Sequence, residues 1–241
     1  MCVIFLSYNQ HPKYPLILLA NRDEFYDRPT ANAHHWSDYP EILAGRDEVK
    51  NGTWLGVTNT GRFSAVTNYR DPNQIKGINS RGDLVADFLK TSVAPGEYLR
   101  QVRANADKYS GFNLIVGELN EGRDELHYFS NIQGRIRRLE SGLYGLSNHL
   151  LDTPWKKVEK GKAELAALIK NSELRTEALF EILGDKSLAD DSDLPDTGIG
   201  FEREKLLSSI FIETPIYGTR CSTILTFDAD KKSDFEERVF V

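Results

Sequence analysis

Two short apolar runs separated by a polar turn open the chain. Cys2-Val3-Ile4-Phe5-Leu6-Ser7-Tyr8 leads into a turn rich in Asn9, His11 and Pro12, then into Leu16-Ile17-Leu18-Leu19-Ala20-Asn21, a pattern that predicts a buried β-hairpin at the extreme N-terminus. Chain ends usually fray, so burying the first residues in a strand calls for a reason. An irregular stretch follows, with Pro29, Pro40 and the adjacent His34 and His35. Thr53 to Thr58 and Phe63 to Asn68, joined by Asn59-Thr60-Gly61-Arg62, give a second hairpin signature with a glycine where a positive φ is wanted. Helical spacing over about 82–90 and 96–106 predicts two helices, Leu84, Val85 and Phe88 forming one apolar face. Strands resume at 112–116, 125–129 and 142–147. Asp152-Thr153-Pro154 offers an N-cap and first helical position for a helix through Ala163, Leu165 and Leu168 to Asn171. Leu174 to Leu183 and Glu202 to Ile210 predict further helices around the acidic loop Asp185 to Gly200, and Ser222 to Phe227 and Phe235 to Val241 close the chain as strands.

Consecutive hairpins with helices segregated between them argue for an α+β fold of antiparallel sheets, not a βαβ repeat. With no internal repeat and no linker, residues 1–241 are expected to form a single domain, a length that sheet-rich domains reach. Thirty basic against thirty-six acidic residues give a net charge of -6 without a basic cluster, which argues against nucleic acid as a partner. No apolar run reaches the ~18 residues that span a bilayer, and MCVIFLSYNQ lacks the basic start and cleavage site of a secretion signal. Two cysteines, Cys2 and Cys221, are too few for a disulfide scaffold at this size, so a reducing, cytoplasmic location is expected. The sequon Asn51-Gly52-Thr53 is then only a turn.

The chemistry concentrates at position 2. Cys2 directly follows the initiator methionine, whose removal is expected beside so small a residue and leaves a thiol and an α-amine on one residue. An α-amine has a pKa near 8, so enough is neutral at physiological pH to take the thiol proton, directly or through water. Asn21-Arg22-Asp23-Glu24 follows the second strand of the hairpin, and antiparallel pairing brings it beside Cys2. An arginine there favours a thiolate, and an aspartate there holds an amine.

The blocks MCVIFLSYN, LILLANRDEFYDRP, GTWLGVT, FSAVTNYRDP, LSNHLLDTPWKK and GTRCSTILTF together resemble the NRDE family, named for its Asn-Arg-Asp-Glu motif, which includes the transport and Golgi organisation protein 2 homologues. That family is similar in turn to the N-terminal nucleophile hydrolases, in the cysteine branch with bile salt hydrolase, penicillin V acylase and acid ceramidase. The resemblance implies a four-layer αββα sandwich, two antiparallel sheets flanked by helices. It also implies Cys2 as nucleophile and Asp23 as the carboxylate that contacts its amine. Arg22 stands after the Asn of its turn, where those hydrolases place arginine before it. Asn68 resembles the amide that helps bind the oxyanion, Asn148 a second active-site amide, and Arg220 a distal active-site arginine. Preorganised amide donors are worth about 3 kcal/mol to an oxyanion.

The reading these residues support is a hydrolase of a non-peptide amide working through a thioester, with no cofactor required and a small-molecule amide as partner. An alternative gives the same pocket to haem or lipid in a binding or trafficking protein, with haem as a ligand that Cys2 itself could hold; no Cys-x-x-Cys-His attachment motif is present. His34 and His35 diverge and lack a third ligand at helical spacing, so no metal site is expected. Trp36, Trp54 and Trp155 could line a pocket, but aromatic residues are most often core and are expected there, and Cys221 reads as a packed strand residue.

Overall fold

The computed structural model describes residues 2–74, 76–170 and 174–241, and of Cys2 it describes the backbone alone. The opening hairpin consists of β1 (Cys2–Tyr8) and β2 (Leu16–Phe25). Its side chains alternate between two cores: Ile4, Leu6, Leu16 and Leu18 enter one, while Val3, Phe5, Ile17 and Leu19 enter another beneath helices. A strand covered on both faces reads as an unbroken apolar run, which is why the pattern here does not alternate.

Residues after the hairpin build a second sheet from β3 (Thr30–His35), β4 (Ile42–Asp47), β5 (Leu55–Thr58), β6 (Arg62–Asn68), β7 (Phe112–Asn120), β8 (Arg123–Ser130) and β9 (Ile136–Arg138), paired in that order and antiparallel throughout. The first sheet is completed by β10 (Gly142–Leu146), β11 (Tyr217–Phe227) and β12 (Ser233–Val239) in the order β10-β1-β2-β11-β12. The two sheets close on each other over Ile4, Leu6, Leu18, Phe63, Ala65 and Ile115. Helices α1 (Arg81–Lys90) and α2 (Pro95–Arg103) cover the outer face of the seven-stranded sheet through Leu84, Phe88 and Leu99. On the five-stranded sheet α3 (Lys156–Ile169) and α4 (Thr176–Leu183) do the same through Leu165, Leu179 and Leu183. The layers are therefore α, β, β, α. A Cβ at Gly161 would stand 2.1 Å from the Phe5 ring, so this glycine lets α3 press against β1. Gly61, at φ +84°, turns β5 into β6 as its position predicts.

Three expectations need correction. The irregular stretch of His34 and His35 is β3, which pairs at the sheet edge with β4; a bulge between Ala31 and His34 and the lack of any buried side chain in β3 break the period-two signal. The histidine rings each bond a nearby carbonyl, that of Asn32 or Pro40. Helix α3 starts at Lys156, after Asp152, Thr153 and Pro154, because those polar groups have other partners. Asp152, at φ +60°, accepts from the Gly145 N–H and from Lys162, and the Thr153 hydroxyl donates to Leu150. Asn171, the expected end of that helix, lies outside the described residues. Helix α5 (Phe201–Leu206) is shorter than the spacing predicts.

Candidate active site

In the β1–β2 ladder Cys2 stands opposite Arg22, and in the β2–β11 ladder Arg22 stands opposite Cys221. Strand alternation sends the Asn-Arg-Asp-Glu side chains to different places. Asn21 faces the helices, where its amide donates to the carbonyls of Leu183 and Ile210 and its oxygen accepts from Ser222. Arg22 turns the other way, between the sheets, with its guanidinium 4.1 Å from the centre of the Trp54 ring and 3.9 Å from Asp47. One of its terminal nitrogens is buried without a hydrogen-bond partner. Asp23 returns to the outer face, and Glu24 ends the motif by accepting from the Phe25 N–H.

Asp23 is 2 % exposed and accepts a 2.7 Å hydrogen bond from the Thr219 hydroxyl. Burial pushes its pKa from 3.8 up to about 6, against the pull of Lys157, Thr219 and Arg22 toward the ionised form. Thr219 meets Asp23 because β11 is bulged: Thr219 pairs with Asp23 and Cys221 with Arg22, leaving Arg220 as the extra residue.

Arg220 is directed along the strand ends. Its guanidinium donates to the carbonyls of Phe25, Arg28 and Val241, and burial together with the charge of Arg22 lowers its pKa. It ties down the segment after β2 and stands within the field of Arg22. Asn68 ends β6, and Asn148 follows β10. The fully buried Asn148 amide donates at 3.2 Å to the Asn68 carbonyl, a bond that uses one of its two N–H groups. Strands β1 and β6 touch across the sandwich. The fold thus groups Cys2, Arg22, Asp23 and Arg220 on the β1–β2–β11 ladder and joins Asn68 to Asn148 beside it.

Several neighbours were not singled out by sequence. Thr219 stands in the same stretch as Arg220 but needs the bulge to reach Asp23. Lys157 is buried in the first turn of α3, the end of a helix where its dipole disfavours a cation, and its burial is a tertiary feature that the sequence does not show. Its ammonium donates to the carbonyls of Leu207 and Ser209. Trp54 and Trp155, expected in the core, are only half-buried and carry the guanidinium groups of Arg22 and Arg70. Among the described residues no three His, Cys, Asp or Glu side chains converge to hold a metal ion, and no helix is long and apolar enough to cross a membrane.

The four layers and the sheet order define an N-terminal nucleophile hydrolase fold. The chain resembles the Caenorhabditis elegans ortholog of N-acylethanolamine-hydrolyzing acid amidase (TM-score 0.51, 10% identity, 100% of both chains). It resembles equally a variant of the conjugated bile acid hydrolase from Clostridium perfringens (TM-score 0.51, 8% identity, 99% of this chain and 96% of that one). At such identities the likeness is one of fold. The chain belongs to the Transport and Golgi organisation 2 family, whose model matches residues 1–241. It is 38% identical over 255 residues to the Transport and Golgi organization protein 2 homolog of Bos taurus, covering 99% of this chain and 92% of that protein.

Proposed function

We propose that this protein is an N-terminal cysteine hydrolase of a non-peptide carbon–nitrogen amide bond. The observation that carries the reading is the register of the first sheet, which sets the Cys2 backbone opposite Arg22 and next to the buried Asp23. Two titratable environments then lie on the two faces of one strand end, a cation on the inner face and a carboxylate on the outer.

After loss of Met1, the Cys2 α-amine takes the thiol proton and the sulfur attacks the amide carbonyl. Arg22 favours the thiolate by its charge, and Asp23 holds the amine from the face that carries Lys157 and Thr219. Asn68 and the remaining N–H of Asn148 receive the oxyanion. The C–N bond breaks as the amine returns its proton to the leaving nitrogen, and water hydrolyses the thioester with the same amine as base. Arg220 positions the turn behind Arg22. No cofactor takes part in this scheme, and a free catalytic thiol belongs in a reducing compartment such as the cytoplasm.

Intact mass of the purified protein tests the first requirement, since retention of Met1 in most molecules removes the amine-as-base mechanism. Labelling with a β-lactone tests the second: the adduct should map to Cys2 and vanish in Cys2→Ala. A strong haem spectrum that depends on Cys2, in a protein the lactone does not label, would instead favour a haem-handling role.

A further inference from the structure

A second buried guanidinium lies near Asp23, and the scheme above leaves it without a task. Arg70 follows Asn68 by two residues in the block FSAVTNYRDP, and its main-chain N–H donates to the Asn148 carbonyl at 2.7 Å. Its position is thereby tied to the amide pair. Its charge and that of Asp23 act on one another, so it lies within electrostatic reach of the carboxylate proposed to hold the amine.

A guanidinium offers a carboxylate two edges, the end-on pair of terminal nitrogens and the side-on pair of Nε and Nη2. In Arg70, Nη1 donates to Glu204 Oε2 at 2.5 Å. Glu204 is itself held, because its Oε1 accepts from the main-chain N–H and the hydroxyl of Thr197. One flat face of the guanidinium lies 4.8 Å from the centre of the Trp155 ring. What remains is the side-on edge. Nε and Nη2 are both buried without a hydrogen-bond partner, on a side chain only 4% exposed. Among the described residues, Arg22, Arg46, Arg62 and Arg220 each lack a partner on one buried nitrogen, whereas Arg70 lacks both nitrogens of an edge.

Buried donors are costly to leave unpaired, and two parallel N–H groups on a fixed plane match one ligand group above others. We propose that the side-on edge of Arg70 binds a carboxylate of the substrate, which makes the substrate an amide with a carboxylate near its scissile bond, an N-acyl amino acid being the simplest. The inference rests on the hydrolase reading for the word substrate, and on Arg70 alone for the carboxylate. The cavity that Arg70 lines with Trp155, Lys157, Glu204 and Ser208 is about 10 Å³, room for one oxygen-sized group. A whole carboxylate therefore needs the lining to give way, and Trp155, only half-buried, is the side chain whose displacement tryptophan fluorescence would report.

The test uses full-length Cys2→Ala protein, titrated with N-octanoylglycine and with its neutral carboxamide, following heat and fluorescence. The acid should bind about tenfold or more tighter than the carboxamide, as expected for a bidentate charged contact. Adding Arg70→Gln should erase that preference and leave the carboxamide's affinity unchanged. Arg70→Lys, which keeps the charge and lacks the fork, should restore part of it, and it decides the matter if the glutamine variant does not fold. Equal binding of acid and carboxamide, or a preference that survives loss of Arg70, overturns the proposal. Lactone labelling of the Cys2 protein keeps the two readings apart. Acid selectivity without acylation supports the carboxylate site and removes the reaction; acylation without acid selectivity does the reverse.

Discussion

Thr219 reaches Asp23 across the β2–β11 ladder only because Arg220 is looped out of step, and its hydroxyl both donates to Asp23 and accepts from the Ile212 N–H. Thr219→Val keeps the shape and removes both bonds. The Ile212 loss costs about 1 kcal/mol at any pH, and the bond to an ionised carboxylate adds roughly 1.5–3 kcal/mol where Asp23 is charged. Urea unfolding at pH 5 and pH 8 should show a larger deficit at the higher pH.

Asp23 itself has a pH signature of the opposite kind to a surface salt bridge. Its folded pKa, about 6, lies above the ordinary 3.8, so the folded state binds a proton more tightly than the unfolded one. The stability it confers when protonated is complete below pH ~4, fades through the window up to pH ~6 and is gone above it. Asp23→Asn keeps an acceptor for Thr219 and removes the cost of the buried charge. It should match the parent at pH 4 and exceed it by on the order of 2–3 kcal/mol above pH ~6, measured by urea midpoints, while labelling of Cys2 by the lactone falls at least about tenfold. A variant that gains stability and loses reactivity marks a site where function is maintained against the fold.

Arg22→Gln removes the cation opposite Cys2. The pH at which Cys2 reacts with iodoacetamide should rise by about one unit. Trp54→Leu, which removes the ring beneath the guanidinium and leaves the charge, should move that profile less and cost stability through lost cation–π contact, roughly 0.5–2 kcal/mol.

Asn21 gives the motif its structural member. Its side chain accepts from the hydroxyl of Ser222 and donates to the carbonyls of Leu183 and Ile210, all three bonds buried. Asn21→Ala should destabilise the protein by about 3 kcal/mol, because several buried groups lose partners at once. Labelling of Cys2 per folded molecule should be unchanged, as read by lactone adducts at a temperature well below the unfolding midpoint.

The two sheets and their helices were legible because the hairpin strands are covered on both faces and carry continuous apolar runs, while α1 shows a clean apolar stripe. β3, β4 and β9 were not, since the edge strands β3 and β9 have no buried side chains and the bulged β3–β4 pairing interrupts the period-two signal. The site divided along the same line. Cys2, Arg22 and Asp23 follow from chain position and hairpin pairing, which are local. Thr219, Lys157 and Arg70 arrive through a bulge, a buried helix start and a contact with Asn148, none of which a residue pattern carries. Arg220 was legible as a residue near the site, but its carbonyl partners on the segment after β2 come from tertiary packing alone.

The single supernumerary residue in β11 works as a change of gear. On one side of it Thr219 pairs with Asp23, and on the other Cys221 pairs with Arg22, so two neighbouring residues of β2 are met by β11 residues that are not neighbours. Drawing Arg220 into step would keep every side chain in the protein and still move Thr219 from Asp23 to Glu24. What the site asks of this one residue is that it stay outside the ladder, a demand on spacing that no side chain of the site expresses.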